Sequence, residues 1–247
     1  MLLRLVAERA TGALLRDHGT LYLSEGRVVH AESPAAPGID VLLTTGGRLH
    51  RDGWQRAVDE AGARREVGRF LVDSGRIAGG ELEICHLGAL YDAAFFALAP
   101  GSGPTRFRYG AAHWIGPVRP VPAAAVERET LRRRELLDQV WPYPAVDHAP
   151  VVRRAPAPGQ SVTRRQQALL RLADGVRTPA AIAWALGRPA FHTLLDVRRL
   201  AAAGLVDTPP DPPEEARPRL PAWIAEVSAD PDTALLRRLR DALEASL

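Results

Sequence analysis

The chain has 247 residues, room for one large domain or two small ones. Its 46% hydrophobic and 25% charged residues match an ordinary globular protein, and a single Cys, Cys85, excludes an internal disulfide and any multi-Cys zinc site. The net charge is only +3, with every basic residue an Arg, a coding bias expected of a G+C-rich bacterial genome.

The amino terminus, MLLRLVAERATGALL, is interrupted by Arg4, Glu8 and Arg9 and lacks the charge-then-apolar order of a signal peptide. No later run is long enough to span a bilayer, so the expected location is cytoplasmic with no membrane partner. TGALLRDHGTLYLSEGRVVHAES alternates apolar and polar residues and predicts short strands. Ser24-Glu25-Gly26 forms a tight hairpin there, with Gly26 free to take a left-handed conformation. Residues 38–45 predict a short helix ended by Gly46-Gly47, and 51–62 and 67–75 two more. Residues 79–99 predict a long apolar helix, and TRFRYG, 105–110, a returning strand. Residues 126–141 predict a mixed-charge helix burying Leu131, Leu136, Leu137 and Val140. Strands at both ends with helices between them give an α+β domain over residues 1–142.

WPYPAVDHAPVVRRAPAPGQ follows, and its prolines predict a stiff, extended linker at 143–160. Residues 161–207 then predict a mainly α, helix-turn-helix unit. Its first helix covers 163–175 and stops at Gly175. Thr178 caps the second, with Pro179 in the first turn, where a missing N–H costs little. Gly187 makes the turn, Pro189 opens the third helix and Gly204 ends it. Ile182, Ala183 and Leu186 face the core, Leu194, Val197 and Leu200 share one face, and Leu205 and Val206 return to the core. A Pro-rich acidic linker at 208–218 leads to a carboxy-terminal amphipathic helix within 219–247. Its stripe of Leu235, Leu236, Leu239 and Leu243 must be covered, by the chain itself or by a twin in a homodimer.

TGALL, GTLYLSEGRVVHA, the short GIDVLL helix, TRFRYG and ETLRRRELLDQVW occur in an order that resembles the PATAN-type domain of bacterial signalling proteins. That resemblance implies an interaction module, often found with small-GTPase and response-regulator circuits, and not an enzyme. VGRFLVDSGRIAGGELE is similar to a helical repeat of secretion-ATPase amino-terminal domains, but lacks the later Gln of that pattern. RTPAAIAWALG, the Leu spacing after it and AGLV resemble winged-helix regulators of actinobacterial type.

Residues 151–206 carry nine Arg against Asp174 and Asp196, the basic island of the chain, and residues 207–247 are net acidic. Positive charge concentrated this way is the footprint expected for double-stranded DNA. The amino-terminal half of a recognition helix lies in the major groove. With the packed positions removed, Arg188 is placed to bind a guanine edge and His192 a base or phosphate. Arg199 would reach the backbone, and Arg164 and Arg165 a flanking phosphate. Against this, Asp196 falls on the same exposed face, and the chain runs from LVDT straight into PPDPPEE with no wing. The leading expectation is a DNA-binding transcriptional regulator whose residues 1–142 sense a signal or partner. The alternative is a signalling adaptor whose helical unit docks proteins. No catalytic motif stands out. Cys85-His86 reads as an inert pair, PGSGP lacks the Lys of a phosphate loop, and the seven His show no metal-ligand spacing, so no cofactor, metal or enzymatic activity is expected.

Overall fold

Helix α1, Leu2–Ala7, precedes three strands, β1 Gly12–Arg16, β2 Gly19–Ser24 and β3 Arg27–Glu32. The computed structural model describes residues 1–101, 103–155 and 160–208. At the β2–β3 turn Glu25 and Gly26 both take positive φ, 49° and 77°, as a two-residue hairpin with the twist of its strands requires. A bulge at Tyr22/Leu23 shifts the register, so that Tyr22 opposes His30 and Leu23 opposes Val28. After four helices the chain returns as β4, Arg106–Tyr109, then β5, Val121–Pro122. The antiparallel order is β4-β1-β2-β3-β5.

The helices between β3 and β4 are α2 Ile39–Thr45, α3 Arg51–Ala61, α4 Val67–Asp73 and α5 Gly79–Ala97. α5 packs on β2 and β3 through its second half. There Leu90, Ala93, Ala94 and Ala97 join Leu14, Leu21 and Val28 in one core cluster. Its first half, with Leu82, Cys85 and Ala89, packs with α2 to α4 in a second cluster. Helix α6, Ala123–Val140, buries Val126 and Leu137. Leu131, expected on its buried side, is 56% exposed. The helix packs against α5 and the later helices along a narrower stripe than its leucines suggest.

The expected extended linker is partly folded. Pro144–Asp147 form a 3-10 turn, Val146 and Val151 are buried, and single bridges join Val152 to Asp174 and Arg153 to Val206. Helix α7, Arg164–Leu170, starts on a capping box of Thr163 and Gln166. Helix α8, Pro179–Leu186, starts on Thr178, whose hydroxyl accepts the Ala181 N–H. It ends at Gly187, in the left-handed conformation at φ 58°. Helix α9, Ala190–Ala202, follows directly.

α9 joins the two halves of this body. Phe191, Leu194 and Leu195 pack with Phe95 of α5 and Leu137 of α6. Val197, Leu200 and Ala201 pack with Leu169, Ile182, Val146 and Leu205. Met1–Pro209 therefore make one compact unit, without a break near residues 142–161. The α+β architecture is as expected, an antiparallel sheet with helices. Leu235, Leu236, Leu239 and Leu243, with the acidic linker before them, lie outside the described residues.

Candidate functional site

The helix expected to read DNA is enclosed. Along α9, Ala190, Phe191, Thr193, Leu194, Leu195, Asp196, Val197, Arg198, Leu200 and Ala201 are all buried. In its first half only His192 is exposed. A helix that enters a major groove must present that half to solvent. The sequence carries the reason: apolar residues at 191, 194, 195, 197, 200 and 201 span more arc than one packed face needs. α9 packs on two sides because it has two apolar faces.

Its first turn is held from a distance. Pro189, at the N-cap, offers no side-chain acceptor. Asp92 of α5, fully buried, accepts the Ala190 N–H through Oδ2 at 2.6 Å and the Phe191 N–H through Oδ1 at 2.8 Å. Arg133 Nη1 lies 3.8 Å from Asp92 Oδ1, and its guanidinium sits 4.6 Å from the Phe191 ring centroid. Burial pushes the Asp92 carboxyl up to about 6, against the opposing pull of the two N–H bonds and Arg133.

The basic island is largely neutralised in space. Asp196, expected on the exposed face, is buried, and its Oδ2 accepts from Arg165 Nε at 2.6 Å while Arg199 lies 3.8 Å from its other oxygen. Arg165 and Arg199 are thus paired, contrary to their expected role as open phosphate contacts. Arg198 is 3% exposed and forks onto Asp147 at 2.9 and 2.6 Å, with further bonds to Asp138 and the Trp141 carbonyl. Arg177 pairs with Asp174, and Arg154 with Asp207. Partial burial, then Arg165 and Arg133, hold His192 below its ordinary pKa, so it adds no charge at neutral pH. Among the described residues Arg153, Arg164, Arg171 and Arg188 make no ion pair with an acid. Arg164 is exposed and Arg188 half-buried, on different helical boundaries.

A second cluster escaped sequence reasoning because its members lie far apart along the chain. His30 and Glu32, two residues apart on β3, share one side of the strand. His113, from the connection between β4 and β5, stacks on His30 with ring centroids 3.9 Å apart and planes at 26°. His113 Nε2 lies 2.9 Å from Glu32 Oε1, and the Tyr22 hydroxyl donates to Glu32 Oε2 at 2.8 Å. The Ile115 N–H donates to His113 Nδ1 at 3.3 Å. That contact places the His113 proton on Nε2, facing Glu32. His113, then Tyr22, hold the Glu32 carboxyl below its ordinary pKa despite burial.

His30 Nδ1 meets His86 Nε2 of α5 at 3.3 Å. His86 Nδ1 is buried without a bond of standard geometry, although the Val29 backbone favours its protonated form. Burial, then the neighbouring His113 and His86, keep His30 well below the usual imidazole range. Burial likewise lowers His86, to about 4. His30 and His86 are therefore neutral at pH 7. His30, Glu32 and His113 line a cleft of about 570 Å³, whose walls include Asp17, Asp40, Trp114 and Trp184.

No family model, curated protein or solved structure matches this chain.

Proposed function

We propose that the chain is a non-enzymatic interaction module of a signalling circuit, docking a protein partner, and not a reader of DNA sequence. The observation that carries this is the enclosure of α9. Its first half is buried apart from His192, the Ala190 and Phe191 N–H groups are spent on Asp92, and Arg165, Arg198 and Arg199 are paired with acids. Apolar side chains stand in solvent instead on other elements. Leu3 of α1 and Leu131 of α6, on helices that pack together, are each more than half exposed. Exposed apolar side chains of this kind, when they cluster, mark protein contacts. No helix among the described residues is long and apolar enough to cross a membrane.

The regulator reading keeps one observation in its favour, the unpaired Arg153, Arg164, Arg171 and Arg188. Those four would give salt-dependent binding to any polyanion and no base selectivity. The test combines affinity capture of the tagged full chain, with and without nuclease, and fluorescence anisotropy on genomic fragments at two salt concentrations. The expected result is a stoichiometric protein partner that survives nuclease, and DNA binding without sequence preference that Arg188→Ala leaves equally unselective. Sequence-selective binding abolished by Arg188→Ala would overturn the proposal.

A further inference from the structure

We propose that His30, Glu32 and His113 form a binding site for one first-row divalent ion of the zinc class, open to the cleft between β3 and the β4–β5 connection. One ligand atom from each of the three residues lies within 4.8 Å of the others. Bonds of about 2.1 Å to nitrogen and oxygen place adjacent donors about 3.0–3.4 Å apart around such an ion. The 2.9 Å separation of His113 Nε2 and Glu32 Oε1 already approximates one edge of that polyhedron. The remaining edges, up to 4.8 Å, have to shorten when the ion is loaded.

The donor set decides the class of ion. Two imidazoles and one carboxylate suit zinc, iron(II), cobalt(II) and nickel(II), whereas calcium and magnesium call for oxygen-rich sites. Two His and a single carboxylate also leave positions for solvent or a ligand from the cleft.

The surroundings are those of a built site. Metal-binding carboxylates and histidines are oriented by a second layer of hydrogen bonds. Tyr22 holds Glu32 through the oxygen that His113 does not use. His86 engages His30 at Nδ1, which leaves Nε2 of that ring as its donor atom. His113 binds through Nε2 and so needs its proton on Nδ1. Loading therefore turns the ring away from the Ile115 N–H, opening the 3.3 Å contact. Packing by itself gives little account of the cluster. His30, His86 and His113 are each at most 5% exposed, and apolar side chains would fill that space without imidazole nitrogens to satisfy. The site is independent of the interaction reading, which rests on α9.

The experiment uses the full chain, stripped with a chelator and titrated with cobalt(II), then with zinc(II) in competition. The expected result is one equivalent of cobalt(II) with a visible d–d absorption, displaced by one equivalent of zinc(II). His30→Asn and His113→Asn are each expected to weaken cobalt(II) binding at least a hundredfold, and Glu32→Gln at least tenfold. His50→Ala removes an exposed histidine outside the cluster and should change nothing. Should a cluster variant fail to fold, the wild type still decides. Its cobalt(II) form should show paramagnetically shifted ring protons from two histidines. An unchanged isotherm in folded cluster variants, a wild type that takes up no stoichiometric cobalt(II), or loaded protein without shifted histidine protons would overturn the proposal.

Discussion

Replacing Asp92 with Ala tests whether a residue on α5 is the cap of α9. The substitution strips acceptors from the Ala190 and Phe191 N–H groups, both buried and without another partner in their own turn. An orphaned buried donor costs about 1–3 kcal/mol, so two cost about 2–6 kcal/mol. Relief from burying a carboxylate works the other way. A carboxyl raised from 3.8 to about 6 carries a penalty of about 3 kcal/mol when ionised. The net change at pH 7 therefore runs from a gain of about 1 kcal/mol to a loss of about 3 kcal/mol, the latter a large part of the stability of an ordinary domain. For a body of this size the largest of those losses is a fall in Tm of roughly 6–12 °C. The pH dependence is distinctive. Because the folded pKa lies above the unfolded one, the folded state binds the extra proton between about pH 4 and 6. Asp92 thus contributes most below pH 4, and stability falls as pH rises toward 6, then levels off. The gap between wild type and Asp92→Ala should widen by about 2 kcal/mol from pH 7 to pH 4, and approach about 3 kcal/mol only below that. Urea denaturation at several pH values reads the gap, and amide exchange at Ala190 and Phe191 reports the cap itself. Unchanged exchange at both amides, or a gap that does not widen toward pH 4, would refute the reasoning.

Gly187→Ala places a Cβ 2.4 Å from Thr45 Cβ while holding a non-glycine residue at φ 58°. The expected cost is about 2–5 kcal/mol by thermal or urea denaturation, since left-handed strain and overpacking add; a near-neutral variant would mean that α2 and the α8–α9 turn do not touch. Arg198→Ala abandons Asp147 in a buried setting and should cost about 3–5 kcal/mol. It should also raise protease cleavage within 143–155, whereas unchanged cleavage would mean that the 3-10 turn is not tethered by Arg198. Asp196→Asn frees Arg165 and Arg199 from a carboxylate. It should steepen the salt dependence of heparin or nucleic-acid binding by up to about two charges, and an unaltered slope would show that both cations are spent elsewhere.

What was legible in the sequence is what local chemistry decides. Thr178 followed by Pro179 has few uses besides starting a helix, and α8 begins there. Glu25-Gly26 between two alternating runs specifies a two-residue hairpin, and both residues take the required positive φ. Gly187 and Gly204 mark helix ends because the chain turns left-handed at each. The errors arise where burial depends on a partner far along the chain. Leu131 and Leu137 look equivalent as leucines on one helix, yet one is exposed and the other buried, because only the tertiary arrangement says where α6 meets the rest. His30 and His113 lie on opposite sides of α2 to α5 in sequence, so no spacing rule brings them together. The β3 register and the β4–β5 connection do.

The basic island fails as a guide for a related reason. Net charge counted along residues 151–206 assumes that neighbours in sequence share a surface. Arg198 belongs to that window, but its partners Asp138 and Asp147 come from α6 and the 3-10 turn, outside it. Asp196 lies inside the window and looks like a flaw in a phosphate-binding face, yet it is the buried acceptor that satisfies Arg165. Asp92 makes the same point from the opposite direction. Residues 98 and 99 positions later depend on it for the hydrogen bonds that start α9. A helix closed in this way by acids from other elements has exchanged its outward field for internal pairing. Arg198 then ties α9 to α6 and the 3-10 turn, and the partner docking proposed above is left to surfaces whose side chains are still free.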